Sequence, residues 1–157
     1  MKIKTGLGQD SHVFEDNHKA LLLAGVNLKH TQGLRANSDG DVLFHALTNA
    51  VSSITGINIL GEIADNLCQQ GITDSSEYLK LALQDLQDWQ VQHIAVSIEC
   101  LTPKISPFIT DMKTNIAKLF NISPNDVGIT ATTGEGLTAF GRGEGIQVLC
   151  IISTLKL

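Results

Sequence analysis

The chain has 157 residues, 43% hydrophobic and 17% charged, which fits one domain able to bury a real core. A net charge of -5 argues against a basic nucleic-acid-binding surface, and one Trp and one Tyr give no aromatic platform for stacked bases. Three widely spaced cysteines, no apolar leader in "MKIKTGLGQD" and no bilayer-length apolar run together point to a reduced, cytoplasmic protein without a membrane span.

Residues 2–9 read as a strand, followed at once by "QDSHV". In extended chain, i and i+2 side chains share a face, so Asp10 and His12 point the same way. Two readings stay open for them: a surface ion pair, or two metal ligands awaiting a third. "ALLLAGV" (20–26) reads as a second strand, and "NLKHTQGLRANSDGD" as turn-rich chain. Apolar residues then recur at helical spacing through "DVLFHALTNAVSSIT" (41–55), with Ser38 and Asp41 approximating a capping box. His45 lies on the first turns of that helix. It is either a core histidine or the third ligand, with Asp41 four residues earlier placed to accept its other ring N–H.

"TDSSEYLKLALQDLQDW" (73–89) predicts another helix behind a Thr/Asp/Ser cap, and "VQHIAVSIECL" (91–101) another strand. Pro103 and Pro107 bracket the start of a helix running to residue 120. "DVGITATT" (126–133) and "GIQVLCIISTL" (145–155) read as two final strands. Between them, "ATTGEGLTAFGRGEGI" carries five glycines among threonines, glutamates and an arginine. This is either a long hairpin loop or a cradle whose backbone N–H groups and Thr hydroxyls meet phosphate, with Glu135 a hard ligand for Mg²⁺. No Rossmann or P-loop glycine pattern is present. His18, His30 and His93 read as surface residues. The intermixed strands and helices predict a single α+β domain over residues 1–157, a mixed β-sheet with helices packed on one face.

Taken in order, "GLGQDSH", "LLLAGV", "SDGDVLFHALTNA", "DSSEYL", "PK" and "ATTGEGL…FGRGEGI" resemble the 2-C-methyl-D-erythritol 2,4-cyclodiphosphate synthase family of the non-mevalonate isoprenoid pathway. The resemblance implies a homotrimer with sheets around the threefold axis and active sites between subunits. It implies a lyase that converts 4-diphosphocytidyl-2-C-methyl-D-erythritol 2-phosphate to the cyclic diphosphate and releases CMP. Asp10, His12 and His45 then look like zinc ligands, and Glu135 like the ligand of Mg²⁺ or Mn²⁺ bridging the diphosphate. Thr133, with Asn37, falls at the catalytic positions. The substrate-binding positions are Asp10, His12, Ser38, Cys100, Leu101, Thr102, Pro103, Lys104, Ile105, Ser106, Thr132, Thr133, Gly134, Glu135 and Arg142. Arg142 and Glu144 match positions lining the trimer axis, where a charged pair is easier to bury than in a monomer.

Several positions depart from the family pattern. Asn37 stands for the usual His before S-D-G-D, and Glu62 for an Asp. Ala64 replaces a Gly, and the F-P-D-T-D-P segment that holds the erythritol is absent. Gly136 replaces a common Lys, and Phe140 comes one residue late. These changes predict retained phosphate chemistry with altered handling of the sugar alcohol. The alternatives are a related metal-dependent phosphoryl-transfer enzyme and a non-catalytic trimer binding a diphosphate or an isoprenoid.

Overall fold

Strand β1 (Lys2–Glu15) runs well past residue 9, so Asp10 and His12 lie inside the strand. The computed structural model describes residues 1–157. In place of one strand over 20–26 there is a two-stranded ribbon, β2 (Leu22–Leu23) and β3 (Val26–Asn27). Ala24 and Gly25 both take positive φ there, which folds the chain back on itself. β4 (Gly33–Leu34) is a short edge strand against Phe14 and Glu15.

Helix α1 (Val42–Thr55) is capped by Asp41, not by the Ser38/Asp41 box expected from the sequence. Helix α2 (Glu62–Gln69) falls within the segment read only as a departure from the family. Ala64, Leu67 and Cys68 face the core at i, i+3 and i+4, a helical stripe of little more than one turn. α3 (Ser75–Gln84) stops short of residue 89, and Gln87 at φ 52 belongs to the turn that follows. The remaining elements fall within two residues of expectation: β5 (Gln90–Glu99), α4 (Ile109–Phe120), β6 (Val127–Thr132) and β7 (Gly145–Lys156).

The main sheet has the order β4-β1-β7-β5-β6. β1 and β5 flank β7 antiparallel, and β6 adds parallel to β5 through the α4 crossover. One face of the sheet carries the helices. Ile152, Val148, Ile94 and Ile98 point into that layer and are fully buried. The other face is open, with Leu7, Leu149 and Ile151 exposed at 62%, 40% and 45%.

α1 lies directly on β1 because β1 has no side chains where they meet. A β-carbon on Gly6 would overlap the Ala50 carbonyl oxygen, and one on Gly8 the Ala46 carbonyl oxygen. Backbone cannot move as a flexible side chain can, so Gly8→Val should cost more than about 3 kcal/mol, the upper end of overpacking. Urea denaturation checks this, and a variant within 1 kcal/mol of the unaltered protein would contradict the close packing.

Candidate active site

The even-numbered positions of β1 face α1. Past the two glycines, Asp10 and His12 stand on the same face opposite His45. Asp10 Oδ2 lies 3.0 Å from His12 Nε2 and 3.0 Å from His45 Nδ1, and the two ring nitrogens are 3.3 Å apart. Tetrahedral ligands about 2.0–2.1 Å from zinc would stand roughly 3.3–3.4 Å from one another. The triangle therefore has the size for such an ion. Burial pushes the Asp10 carboxyl up, but hydrogen bonds from His12 and His45 and their charge outweigh it and hold it down at about 2. Asp10 is thus an anion.

The outer nitrogen of His45 decides what the inner one can do. Ser75, the first residue of α3, donates its hydroxyl proton to Asp39 Oδ1, while its oxygen lies 2.8 Å from His45 Nε2. With that proton committed to a carboxylate, Ser75 accepts from His45 Nε2–H. In the doubly protonated ring Nδ1–H also donates to Asp10, and once that proton leaves, the Nδ1 lone pair faces Asp10 and His12. A carboxylate and two ring nitrogens converging on one point are held together by imidazole protons or by a cation in their place. The residues present fit a divalent metal.

The expected role of Asp41 is not borne out. Its carboxylate is fully buried and accepts the backbone N–H groups of Ala24, Gly25 and Phe44, fixing the β2–β3 turn to the start of α1. Burial pushes this carboxyl up to about 6 although the backbone donors pull it back. In "SDGD", then, Asp39 supports the histidine through Ser75 and Asp41 caps the helix. Sequence reasoning missed Ser75 because its neighbour Asp74 gave a sufficient cap signal, and Asp74 does cap α3.

The triangle opens into a cavity of about 670 Å³ whose walls include Asn37, Ser38, Asp65, Cys68 and Tyr78. Asn37 is exposed at its mouth, and Ser38 Oγ lies 3.3 Å from His45 Nε2. α2 supplies one wall, so the departing segment is part of the site.

A second cavity, about 450 Å³, is lined by Cys100, Leu101, Thr102, Pro103, Lys104, Ile105 and Ser106 with Ala131, Thr132 and Thr133. Burial and the nearby Glu99 charge push the Cys100 thiol up to about 11, so at neutral pH it is an un-ionised lining group. His30, expected at the surface, is half-buried and stacked on Phe14, with Nε2 3.5 Å from Thr102 Oγ1. Gly134 and Glu135 follow in the loop beyond Thr133. That loop is not a hairpin, since β5 lies between β6 and β7 in the sheet. Arg142 and Glu144 pair with each other at 3.3 Å, exposed at 53% and 57%, rather than being buried unpaired.

The two cavities share no lining residue. Sheet register explains why. Asp10, Val148, Ile98 and Ala131 form one cross-strand row on the helix face, and Ser11, Gln147, Glu99 and Thr132 the next row on the open face. Thr132 is therefore three strands, about 14 Å, from the triangle, and on the opposite side of the sheet.

Removing the Ser75 hydroxyl leaves His45 Nε2 only the longer 3.3 Å contact to Ser38 Oγ, which loosens its orientation and tautomer. Ser75→Ala should weaken zinc binding by about 10- to 100-fold, read by competition with a chromogenic chelator. Unchanged affinity would mean that Ser75 does not orient the histidine.

A model of the YgbB family matches residues 3–155. The 2-C-methyl-D-erythritol 2,4-cyclodiphosphate synthase of Chlamydia felis is 47% identical over 98% of this chain and 89% of its own, and that of Chlamydia abortus 48% over the same shares. Among solved structures, the bifunctional IspDF of Campylobacter jejuni superposes with a TM-score of 0.90 at 34% identity, over 99% of this chain and 43% of that one. A CDP-bound 2C-methyl-D-erythritol-2,4-cyclodiphosphate synthase does so with a TM-score of 0.81 at 25% identity, over 97% of this chain and all of that one. Matched by the family model over nearly its whole length, the chain belongs to the YgbB family.

Proposed function

We propose that the chain converts 4-diphosphocytidyl-2-C-methyl-D-erythritol 2-phosphate to 2-C-methyl-D-erythritol 2,4-cyclodiphosphate, in the cytoplasm, as a homotrimeric lyase. The observation that carries this reading is the Asp10–His12–His45 triangle in a chain 47% identical to a synthase of that name. An oxygen of the 2-phosphate attacks the β-phosphorus, a new P–O bond forms, and the bond to the oxygen bridging the α-phosphate breaks. CMP leaves with that oxygen and its electron pair. In phosphoryl transfer of this kind the protein chiefly positions groups and neutralises charge. When bound, zinc on Asp10, His12 and His45 and Mg²⁺ or Mn²⁺ on Glu135 would supply Lewis-acid polarisation of the diphosphate.

The chain's own residues divide the remaining work. Segment 100–106 encloses the cytosine, with Lys104 near phosphate. Thr132 and Thr133 donate hydroxyl hydrogen bonds to the diphosphate, Thr133 as charge builds on the reacting phosphoryl group. Asn37 and Ser38 border the triangle and meet the 2-phosphate side. Asn37 can donate a hydrogen bond but carries no positive charge, and α2 presents Asp65 and Cys68 where the family has its F-P-D-T-D-P segment.

A diphosphate cannot reach from the triangle to Thr132 within one chain, given three strands and a sheet face between them. A trimer in which each triangle meets the 100–106 and 132–135 segments of a neighbour resolves this. The exposed Leu7, Leu149 and Ile151 offer an apolar surface for such an assembly, with the "GRGEGIQV" segment lining the axis.

The purified protein with authentic substrate and Mg²⁺ should yield CMP and the cyclic diphosphate by phosphorus NMR, and His45→Ala should lose both zinc and turnover. Absence of product from zinc-loaded protein would refute the assignment. Asn37→His restores a chargeable donor beside phosphate and should raise kcat about tenfold. An unchanged or lower kcat would show that the cavity has compensated for the asparagine. Sedimentation at micromolar concentration should give a trimer. Mixing inactive His45→Ala and Thr133→Ala subunits should restore part of the activity, and none would return if each site lay within one chain.

A further inference from the structure

Glu99 has no part in the chemistry just described, yet the glycine-rich loop is wound around it. It ends β5 on the open face, beside Thr132 of β6. The Thr138 hydroxyl donates to Glu99 Oε1 at 2.6 Å, and the same hydroxyl oxygen accepts the Gly141 N–H at 3.0 Å. On the other side Gly134, at φ +76, lies so close that a β-carbon on it would overlap Glu99 Oε1 and sit 3.0 Å from Gly141 Cα. One carboxylate oxygen thus touches the loop where it leaves β6 and again where it turns back toward β7. The segment between carries Glu135, exposed and in left-handed backbone at φ 52, ψ 28.

We infer that Glu99 is a positioning residue that sets the 133–143 loop through Thr138 and Gly134, and so fixes where Glu135 and Thr133 present their oxygens to a metal-bound diphosphate. This rests on the reading of Thr132, Thr133 and Glu135 as the diphosphate-handling group. The chemistry of the contact supports it. A hydroxyl donating to an ionised carboxylate is among the stronger neutral-donor hydrogen bonds, so this contact can hold the loop in place. Gly134 follows from the same oxygen, because both its positive φ and its missing side chain are needed for the loop to pass. Without the carboxylate, Thr138 loses its acceptor and Gly134 its polar neighbour, leaving the loop's ends joined by backbone contacts alone.

The test is calorimetric binding of CDP with Mg²⁺ to the zinc-loaded protein, alongside melting temperature and zinc content. Glu99→Ala and Thr138→Val should each weaken CDP binding about tenfold or more while zinc content holds. Thr138→Ser, which keeps the hydroxyl, should restore most of the affinity lost in Thr138→Val. Gly134→Ala should weaken binding alone and be partly relieved in combination with Glu99→Ala, because the obstructing oxygen is gone. CDP binding at unaltered affinity in both Glu99→Ala and Thr138→Val would overturn the inference, as would Thr138→Ser behaving like Thr138→Val. If Glu99→Ala fails to fold, the Thr138 pair decides alone. Loss of CDP binding in Glu135→Gln and Thr133→Ala with none in the Glu99 and Thr138 variants would remove the positioning role and leave the reading of the site standing. Failure of the unaltered protein to bind CDP would overturn both.

Discussion

The contact between β1 and α1 is made without side chains, and the rest of the site depends on it. Gly6 and Gly8 let the helix backbone rest on the strand backbone, with eleven of the fourteen residues of α1 buried. A helix held that close cannot shift by a fraction of an ångström without collision. Two residues further along the same face of β1, the glycines give way to Asp10 and His12. His45 is therefore brought to 3.0 Å from Asp10 by the packing of the backbone. The hydrophobic core supplies the driving force, and the glycines supply the distance.

Asp39 and Asp41 belong to this arrangement although neither touches the triangle. Asp41 holds three backbone N–H groups and ties the β2–β3 turn to the first turn of α1. Asp39 reaches α3 and, through Ser75, settles which nitrogen of His45 faces inward. Two carboxylates two residues apart thus serve two ends of one helix start. One stabilises the helix, and the other tunes the histidine. Replacing either would disturb the triangle, through position in one case and through tautomer in the other.

A sheet three strands wide separates the triangle from Thr132. Register and the pleat place them on opposite faces, so no side-chain rotation joins them. The open apolar face and the separated cavities are both accounted for by the trimer proposed above.

Much of this was legible in the sequence because it is local. Alternation gave the strands, helical spacing gave α1 and α4, and Asp10 and His12 share a face by strand period alone. Motif resemblance then joined His45 to them. α2 escaped because its apolar stripe, Ala64, Leu67 and Cys68, spans barely one turn. The "ALLLAGV" strand became a two-stranded ribbon because its turn depends on Ala24 accepting positive φ, with the ribbon held by Asp41 from across the chain. The roles of Asp41, Ser75 and Glu99 were decided only in three dimensions. Each is a polar side chain whose partner lies on another element, and a one-dimensional pattern records spacing along the chain but not which carboxylate a hydroxyl will meet when the elements pack. Sequence by itself determined most of the strands and helices and which residues offer groups suited to metal or phosphate. Tertiary structure decided which of those residues share a site, because that depends on backbone approach, register and sheet face, and none of these is set within a single element.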